Sequence, residues 1–517
     1  MRQPPLQTHS SCLSINSLSS SVFFGIMDAT NGSVWLALAI VLIIGVITKA
    51  LIRRNVPAPV CNRLPPPVAN NGSIVMLLHA FLTKGFHAMI QDQYTKLGSV
   101  FTVSIFGLKA TFLVGPEVLG QFFEGMPSEI AVSPAIQFFE PILGKETYGI
   151  DTTTHYWLTG FMKDALKSGK LRSMVSPMIQ EVEAYFAKWE QHGITDLKQE
   201  MKHVLMAITA RCLVGKEFRE QMMGETWTLF YQLFDNGTRL SSVLFPYAPL
   251  PSNRRRDKAR AKLSKILTQI VQSRRGSNHV EDDVLQILTN SKYKDGRPTT
   301  EEEVVGLIIF VVLTGLHSSN TTSTWTGALL LNNPRWSMAA VEEQQQIMQK
   351  HGCHLDYNVF LEMEILHNCI KEVVRLHPVP PLSIRKAHKP FTVRTRDGTE
   401  YEIPGGHTIV SPTLLNGSIP HIYKNPNVFD PDRFGPGREE DKVGGKFSYT
   451  SFGGGRHACL GQAYAYLQIK AIWSHLLRNF EMKLESPFPV VDRSTFMMEA
   501  KGKIMVSYRR RQLPASI

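Results

Sequence analysis

Residues 451–477 read SFGGGRHACLGQAYAYLQIKAIWSHLL, a glycine-rich loop that leads directly into a segment with helical hydrophobic periodicity. Phe452, Gly455, Cys459 and Gly461 give the spacing F-x-x-G-x-x-x-C-x-G. Glycines allow a tight loop whose backbone can closely approach a flat group. A cysteine at the start of a helix is favoured as its thiolate by the helix dipole and the free backbone N–H groups. A lone cysteine there is more often a small core residue, so other parts of the chain must decide between the two interpretations.

Two charged fragments precede this loop. KEVVRLHP, residues 371–378, places Glu372 and Arg375 three apart on a predicted helix, where they can pair. FDPDRF, residues 429–434, supplies Arg433. An exposed pair would contribute little to stability, so the first fragment alone is weak evidence. The order of the three fragments favours the ligand interpretation of Cys459.

The clearest predicted helix lies between Thr300 and Pro334. Thr300 and Glu303 can form a capping box, and the proline ends the helix. Val304 to Leu313 is almost entirely apolar, which predicts burial in a large protein. This run is too short to span a bilayer.

The same helix becomes polar in its middle, at Thr314, Gly315, His317 and Ser318. Buried hydroxyl and imidazole groups need partners, and Gly315 allows a bulky group to approach the backbone. From this pattern alone, two interpretations are equally supported. The polar side chains either form hydrogen bonds with neighbouring helices or lie beside a bound group.

Together these fragments resemble the cytochrome P-450 superfamily over nearly the whole chain. The resemblance implies a mainly α-helical fold with small β-sheets, and one heme b (iron protoporphyrin IX) whose iron is ligated by Cys459. A thiolate ligand donates electron density that favours O–O cleavage. The residues that would shape the heme-binding loop are Phe452, Gly455 and Gly461.

The resemblance also implies roles for residues outside the loop. The central helix would cross the distal face of the heme, with Gly315 beside the oxygen site and with Ser318 and His317 delivering protons. The buried structural triad would be Glu372, Arg375 and Arg433. The side chains that would contact the heme propionates are His457, Arg385 and Tyr148.

Within the superfamily the chain is similar to the sterol 14α-demethylases, particularly those of plants. His457 stands where most other relatives carry arginine. TGLHSSNTTSTWTG (residues 314–327) resembles the central-helix signature of the demethylases, and residues 430–457 are similar throughout.

The chain also departs from that pattern. The family usually has Ala-Gly-Gln-His-Thr where residues 314–318 read TGLHS, so a hydroxyl is kept and an amide is lost. Residues 145–158, KETYGIDTTTHYWL, are poorly similar, and an expected propionate-contacting tyrosine is missing there. Gln462 replaces a common acid. We therefore expect conserved heme chemistry with a changed substrate.

The resemblance implies a monooxygenase that oxidises a sterol or related triterpenoid with O2 and electrons from an NADPH-dependent reductase. In the demethylases, three oxygenations convert the 14α-methyl group to alcohol, aldehyde and then formate. One alternative is a triterpenoid hydroxylase or epoxidase without demethylase activity. Another is a non-oxidising heme isomerase or binding protein, against which the retained Ser318 hydroxyl and the intact triad count.

The N-terminal part of the chain predicts a membrane anchor at residues 33–52. Val34 to Ile47 carries no charge, and the full span approaches the ~20 residues that a transmembrane helix needs. Arg53 and Arg54 follow it, so the positive-inside rule places the catalytic domain in the cytosol. This predicts a single-pass protein of the endoplasmic reticulum membrane. A cleaved signal peptide is the rival, but a clear small-residue cleavage site is lacking.

The remaining domain boundaries follow from composition. Residues 1–26 are a leader or a gene-model extension, because Met27 begins a plausible shorter chain. Residues 55–68 are proline-rich and predict a stiff linker. Residues 69–517 would form the heme-thiolate monooxygenase domain.

Strand patterns are confined to short patches of this domain. Phe391–Thr395 and Tyr401–Ile403 flank Asp397-Gly398, which suits a hairpin turn. A further strand is predicted at Thr408–Ser411.

Composition limits the class of partner. The 517 residues carry a formal charge of +12, and six scattered cysteines indicate free thiols. A basic excess suits a solvated face, membrane lipid or an acidic partner such as a reductase. No nucleic-acid-binding motif accompanies it, so no nucleic acid partner is expected.

Overall fold

A computed structural model describes residues 64–512, except 70–72, 106–107, 133–138, 149–151, 222–223, 278–280, 282 and 493–496. The predicted leader (1–26), the predicted anchor (33–52) and most of the predicted linker lie outside the described residues. Contacts divide the chain into a small unit, Met1–Asn62 with Ser104–Lys109, and a large unit, Arg63–Val103 with Ala110–Ile517.

Helices dominate the described chain, as predicted. They are α1 (Ile74–Lys84), α2 (Phe86–Leu97), α3 (Gly120–Glu124), α4 (Glu140–Leu143), α5 (Lys145–Tyr148), α6 (Thr152–Ala165), α7 (Ser168–Phe186), α8 (Leu197–Thr209), α9 (Lys216–Gln221), α10 (Glu225–Gly237), α11 (Leu240–Leu244), α12 (Pro251–Gly276), α13 (Val284–Asn290), α14 (Glu301–Asn332), α15 (Pro334–His351), α16 (Tyr357–Glu362), α17 (Glu364–Leu376), α18 (Thr413–Asn416) and α19 (Gln462–Asn479). A π-helical turn, Ala210–Val214, extends α8, and short 3-10 turns cover Pro116–Val118, Pro431–Phe434 and Gly455–His457.

The longest helix, α14, begins at the predicted capping box. Thr300 accepts a hydrogen bond from the Glu303 amide, and the Glu303 carboxylate accepts one from the Thr300 amide. Within the described part of the chain, α14 is the one helix long and apolar enough to cross a membrane, and most of its apolar window is buried inside the protein. It is therefore the core helix of the domain.

The core surrounds α14. Helices α8, α12, α17 and α19 all contact it. Where α14 meets α19, a Cβ added to Gly327 would lie 2.4 Å from the Trp473 ring. This close approach explains a glycine inside a long helix, since any larger side chain would separate the two helices.

The strands are β1 (Val100–Ile105), β2 (Leu108–Leu113), β3 (Ile130–Val132), β4 (His192–Asp196), β5 (Ser383–Ala387), β6 (Phe391–Arg394), β7 (Glu400–Ile403), β8 (Thr408–Ser411), β9 (Phe480–Leu484) and β10 (Met505–Arg510). They form sheets of order β1-β2-β8-β5-β3, β4-β10-β9 and β6-β7. β6 and β7 pair antiparallel, and Gly398 in their turn has a φ of +89°. The predicted hairpin and the strand at Thr408–Ser411 are therefore confirmed.

The end of the proline-rich stretch is bound to these sheets. The Glu402 amide donates to the Leu64 carbonyl at 3.1 Å, and the Thr102 amide donates to the Pro67 carbonyl at 2.8 Å. The compact unit thus begins before residue 69, which was the predicted boundary. The reason is that proline carbonyls still accept hydrogen bonds, so a proline-rich segment can add to a sheet edge.

Candidate active site

The loop before α19 has the tight shape that its glycines predict. Gly453 and Gly455 have φ values of +72° and +53°, which L-residues with side chains rarely adopt. A Cβ at Gly455 would lie 2.6 Å from the carbonyl oxygen of Phe123, in helix α3. The Cys459 amide donates to the Phe452 carbonyl at 2.7 Å, which closes the loop and places the cysteine just before α19.

The Cys459 sulfur lies at the N-terminus of α19 and is exposed. The backbone N–H groups of Gly461 and Gln462 interact with it. Neighbouring protein atoms reduce the hydration of the thiol and raise its pKa, and these two N–H groups lower the pKa by a smaller amount. The helix start therefore helps the thiolate without producing it alone, and a bound metal would supply the remaining stabilisation.

Helix α19 joins this loop to the polar middle of α14. Gln468 donates to the Gly315 carbonyl at 2.9 Å, and it also donates to the hydroxyl of Ser319. A Cβ at Gly315 would lie 3.0 Å from Leu213 and 3.8 Å from the ring of Tyr464. The glycine predicted beside the oxygen site thus lies against the helix that begins at the cysteine.

One face of α14 is exposed although the rest of the helix is buried. Phe310, in the middle of the apolar run, is 37% exposed, so the prediction that this run is buried is wrong at that position. Thr314 is also exposed and Ser318 is half-buried; residues spaced by four lie on one helix face. Thr314 donates to the Phe310 carbonyl at 2.8 Å and Ser318 to the Thr314 carbonyl at 2.5 Å, so both hydroxyl oxygens can still accept.

His317 is buried and has a charged partner. Its Nε2 lies 3.2 Å from the Glu499 carboxylate, which also lies 3.0 Å from the Lys198 ammonium group. Neither partner was identified from the sequence. Glu499 comes from the C-terminal segment and Lys198 from the first turn of α8, and only tertiary structure brings them to α14.

Arg385 and the cysteine loop are connected through α3. Arg385, on β5, lies with its guanidinium carbon 5.2 Å from the centre of the Phe122 ring. The next residue, Phe123, contacts Gly455, and His457 ends the 3-10 turn that packs on α3. The side chain of Tyr148 lies outside the described part of the structure; its backbone ends α5.

The three charged residues of the predicted triad meet in the core. Arg375 donates two hydrogen bonds of 2.7 Å to the Glu372 carboxylate, and Arg433 donates a third at 2.8 Å. All three side chains are essentially inaccessible to solvent. Glu372 also accepts from the Asp430 amide, and Arg375 donates to the Gly417 carbonyl.

The sequence did not reveal that this network extends further. Glu440 accepts from Arg433 at 2.5 Å and from Arg438 at 2.6 Å. Burial acts to raise the pKa of Glu440, but the two guanidinium groups outweigh it and hold the pKa below its ordinary value. Glu440 and Arg438 lie in an irregular charged loop, where no periodicity marks a buried side chain.

These residues fit a heme. The sulfur of Cys459, a soft ligand, lies at the mouth of a glycine loop that a Cβ would fill, and the exposed face of a core helix provides a surface. The guanidinium of Arg385 and the imidazole of His457 suit propionate carboxylates as hydrogen-bonding groups. In other heme proteins, a cysteine thiolate ligand on the iron favours O–O cleavage. The family model for cytochrome P450 matches residues 63–506.

The chain belongs to the cytochrome P450 family.

Individual relatives show which members of the family the chain resembles. The chain is 48% identical to obtusifoliol 14-alpha demethylase of Sorghum bicolor and 46% identical to sterol 14-demethylase of Arabidopsis thaliana; each match covers 87% of this chain, with 91% and 92% of the relative. Lanosterol 14-alpha demethylase of Bos taurus is 34% identical over 88% of this chain and 89% of its own length. The structure of a cyanobacterial P450, CYP120A1, with bound retinoic acid has a TM-score of 0.75 at 20% identity, covering 87% of this chain and all of that one, and shows the shared fold.

This P450 is a heme-thiolate monooxygenase with iron protoporphyrin IX as its cofactor. The predicted fold, enzyme class, cofactor and similarity to the plant sterol 14α-demethylases are confirmed. The roles predicted for individual side chains remain predictions, which the geometry allows us to test.

Proposed function

We propose that this P450 removes the 14α-methyl group of a plant sterol. The observation that carries the proposal is the 46–48% identity to two plant enzymes whose names state this reaction, over 87% of the chain. The family-model match over residues 63–506 includes the core helix, the cysteine loop and the charged network together. A sterol with a changed ring or side chain remains compatible with the divergent residues 145–158.

The residues would divide the work as follows. Bound heme supplies oxygen activation and abstraction of a hydrogen atom from the substrate. Cys459 would hold the iron, while Arg385, His457 and Tyr148 would bind the propionates through charge-assisted and phenolic hydrogen bonds. The network of Glu372, Arg375, Arg433 and Glu440 would hold the chain that leads into the cysteine loop.

The exposed face of α14 would manage protons and substrate. Phe310 offers apolar area to a sterol ring system, and Thr314 lies one turn beyond it. Ser318 can accept a hydrogen bond while it donates to the Thr314 carbonyl, so it can orient a proton-donating group. His317, which is next to Ser318 in the chain, would be the proton donor.

Turnover with a defined sterol tests the proposal. Purified enzyme, a plant NADPH-dependent reductase and obtusifoliol are combined, and the products are followed by mass spectrometry. Formation of the 14-demethylated sterol with formate supports the proposal. A hydroxylated or epoxidised sterol that retains the methyl group would contradict demethylation and support the diverged hydroxylase. Absence of NADPH consumption with any polycyclic substrate would indicate the non-oxidising alternative.

The ligand assignment has its own spectroscopic test. Cys459→Ser should lose the 450-nm band of the reduced carbon monoxide complex, because a serine oxygen does not reproduce thiolate donation. Cys353→Ser is the matched control, since Cys353 is also free and exposed. A retained band in the first variant would contradict the assignment.

We infer that residues 33–52 anchor the protein as a single-pass span of the endoplasmic reticulum membrane, with residues 55–63 as the link to a cytosolic domain. The support is the uncharged run Val34–Ile47 followed by Arg53 and Arg54. Removing residues 1–54 should shift the protein from the membrane to the soluble fraction and leave its carbon monoxide spectrum intact. If the shortened protein stays on the membrane after washing with high salt, residues 33–52 are not the sole anchor.

The reductase would dock on the face around the cysteine loop. Arg456 is exposed there beside Lys446, which pairs with Glu124, and an exposed cation attracts an acidic partner mainly by increasing the association rate. Charge reversal of Arg456 to Glu should raise the reductase concentration needed for half-maximal rate. Reversal of Lys265 on α12, which is also exposed, is the control. Equal effects of the two changes would contradict docking at this face.

A further inference from the structure

His317, Glu499 and Lys198 form a buried charged cluster that joins three separate elements. Glu499 contacts His317 through one carboxylate oxygen at 3.2 Å and Lys198 through the other at 3.0 Å. Lys198 also donates to the Ala500 carbonyl at 2.9 Å, which ties the C-terminal segment to α8. The three side chains are 11%, 15% and 19% exposed, so the cluster is largely shielded from solvent.

The charges around Glu499 keep it ionised. Burial acts to raise its pKa, but His317, Lys198 and Lys202 outweigh burial and hold the pKa below the ordinary value. Lys202 is itself engaged by Asp235 at 3.6 Å and lies over the Tyr231 ring. The imidazole of His317 therefore has a fixed anion on the side of its Nε2 nitrogen.

The same face of α14 continues as a row of buried polar atoms. Asn320 and Thr324 lie three and seven residues after His317, positions that share its helix face. Asn320 Oδ1 and Thr324 Oγ1 are buried and have no hydrogen-bond partner among the residues that the structure describes. Buried polar atoms of native proteins are commonly satisfied by ordered water. The row thus offers binding positions for water molecules next to His317.

The C-terminal segment is held at this face by a second contact. The indole N–H of Trp325 donates to the Met498 carbonyl at 2.9 Å, next to Glu499 in the chain. Trp325 is fully buried and stacks on His377 with ring centres 3.7 Å apart. The carboxylate of Glu499 is therefore presented to His317 by a rigid support, as a positioning group requires.

From this arrangement we propose that Glu499, held by Lys198, is a positioning residue for the proton donor His317. The inference rests on the proposed function only in that His317 is taken as a proton donor. Glu499 would hold the ring by its charge, because one carboxylate oxygen lies 3.2 Å from Nε2 without the alignment of a hydrogen bond. His317 would pass on one proton and take up another from solvent through water bound at Asn320 and Thr324. The C-terminal segment would in this way be part of the catalytic machinery.

The decisive variant is Glu499→Gln, which keeps the size of the side chain and a hydrogen-bonding oxygen but removes the charge. We expect the fraction of NADPH electrons recovered in product to fall about 10-fold, below the ~10²-fold or more that loss of a general acid itself causes. Glu499→Asp should restore most of the coupling. Lys198→Met should lower coupling and Lys198→Arg should retain it. Glu485→Gln, a change at an exposed glutamate near the C-terminus, is the matched control.

A second readout needs no substrate and no turnover. In protein labelled with 15N-histidine, the ring-nitrogen signals of His317 are assigned by their loss in His317→Gln. These signals should move in Glu499→Gln and in Lys198→Met and stay in place in Glu485→Gln. If wild-type enzyme makes no demethylated sterol, the proposed function fails, and the nitrogen signals still decide whether Glu499 positions the ring.

Two outcomes would overturn the inference. The first is unchanged coupling in Glu499→Gln with an intact 450-nm band, since a positioning residue must affect proton delivery. The second is an unmoved His317 signal in that variant. If Glu499→Gln fails to bind heme, Lys198→Met is compared with Lys198→Arg. If the ion pair is purely structural, Lys198→Met should lose the heme band and the coupling to the same extent.

Discussion

At the scale of single residues, the polar stretch of α14 separates into groups with different partners. Thr314 and Ser318 donate to carbonyls one turn earlier and keep their oxygens available, whereas His317 faces a carboxylate from a remote part of the chain. Thr326, two turns after Ser318, makes the same backbone hydrogen bond but is fully buried. Hydroxyl side chains that make the same backbone hydrogen bond on one helix thus differ in their exposure.

This difference predicts that Ser318→Ala uncouples NADPH consumption from product. Loss of the hydroxyl removes a proton-orienting acceptor, and we expect coupling to fall roughly 10-fold while heme content stays normal. Thr326→Ala is the control, because it removes an equivalent hydroxyl at a fully buried position. Product per NADPH and peroxide release measure the effect. Unchanged coupling in Ser318→Ala would remove this residue from the proton path.

At the scale of elements, the cysteine loop depends on backbone shapes that only glycine tolerates. Gly455 combines a φ of +53° with a Phe123 carbonyl 2.6 Å from the position of a Cβ. Gly445 has a φ of +89° and open space around that position. The two residues therefore separate backbone strain from steric collision.

We expect Gly455→Ala to lower the stability of the heme-loaded protein by roughly 2–4 kcal/mol and to reduce heme retention, because strain and collision add. Gly445→Ala should cost only about 1–2 kcal/mol, from the left-handed backbone alone. Thermal midpoints and the 450-nm band are the measurements. Equal thermal midpoints for the two variants would show that α3 moves away from residue 455 without loss of stability.

The charged network that joins α17 to the loop around Arg433 is a second feature at the scale of elements. Glu372 pairs with two buried guanidinium groups, so Glu372→Ala should cost about 3–5 kcal/mol, because Arg375 loses its carboxylate and Arg433 keeps only Glu440. Glu362, which pairs with Lys350 and His351 at the surface, is the contrast, and Glu362→Ala should leave the midpoint nearly unchanged. Chemical unfolding of the two variants measures the difference. Similar losses would contradict a structural role specific to the buried network.

At the scale of the whole molecule, burial of neutral histidines should make stability depend on pH. Burial lowers the pKa of His367 and of His475 to about 4, helped by nearby lysine or arginine charges, and that of His377 to about 3, helped by Arg375. Unfolded histidine has a pKa near 6.5. Between these values the unfolded chain binds protons that the folded chain does not, so stability falls as the pH falls.

We therefore expect the free energy of unfolding to decrease from about pH 6.5 toward pH 4, by about 1.4 kcal/mol per pH unit for each histidine. His475→Gln should remove the contribution of one histidine from this slope, and His354→Gln, at an exposed position, is the control. Below about pH 4.5 the lowered pKa of Glu440 adds a further loss, because the unfolded carboxylate then binds a proton that the folded carboxylate does not. Urea unfolding at half-unit pH steps measures the slope; a flat profile would contradict buried neutral imidazoles.

Several features could be predicted from the sequence because they depend on local rules. The capping box of α14, the hairpin around Gly398 and the strand Thr408–Ser411 follow from residue types a few positions apart. The cysteine loop follows from the spacing of its glycines, and the pairing of Glu372 with Arg375 follows from helix geometry. In each case the interacting atoms are close in the chain, so the pattern alone constrains them.

Other features were decided only by the tertiary structure. Gln468 on Gly315, Glu440 in the triad network and the cluster of Lys198, His317 and Glu499 join residues that are far apart in the chain. The exposure of Phe310 in an apolar run likewise depends on where neighbouring elements stop. Amino-acid patterns determine which face of an element is apolar or charged, but the partner of a buried charge is determined by how the elements pack. For this reason the sequence, through its resemblance to a family, indicated the fold and the class of chemistry, and packing alone decided which carboxylate stands beside His317.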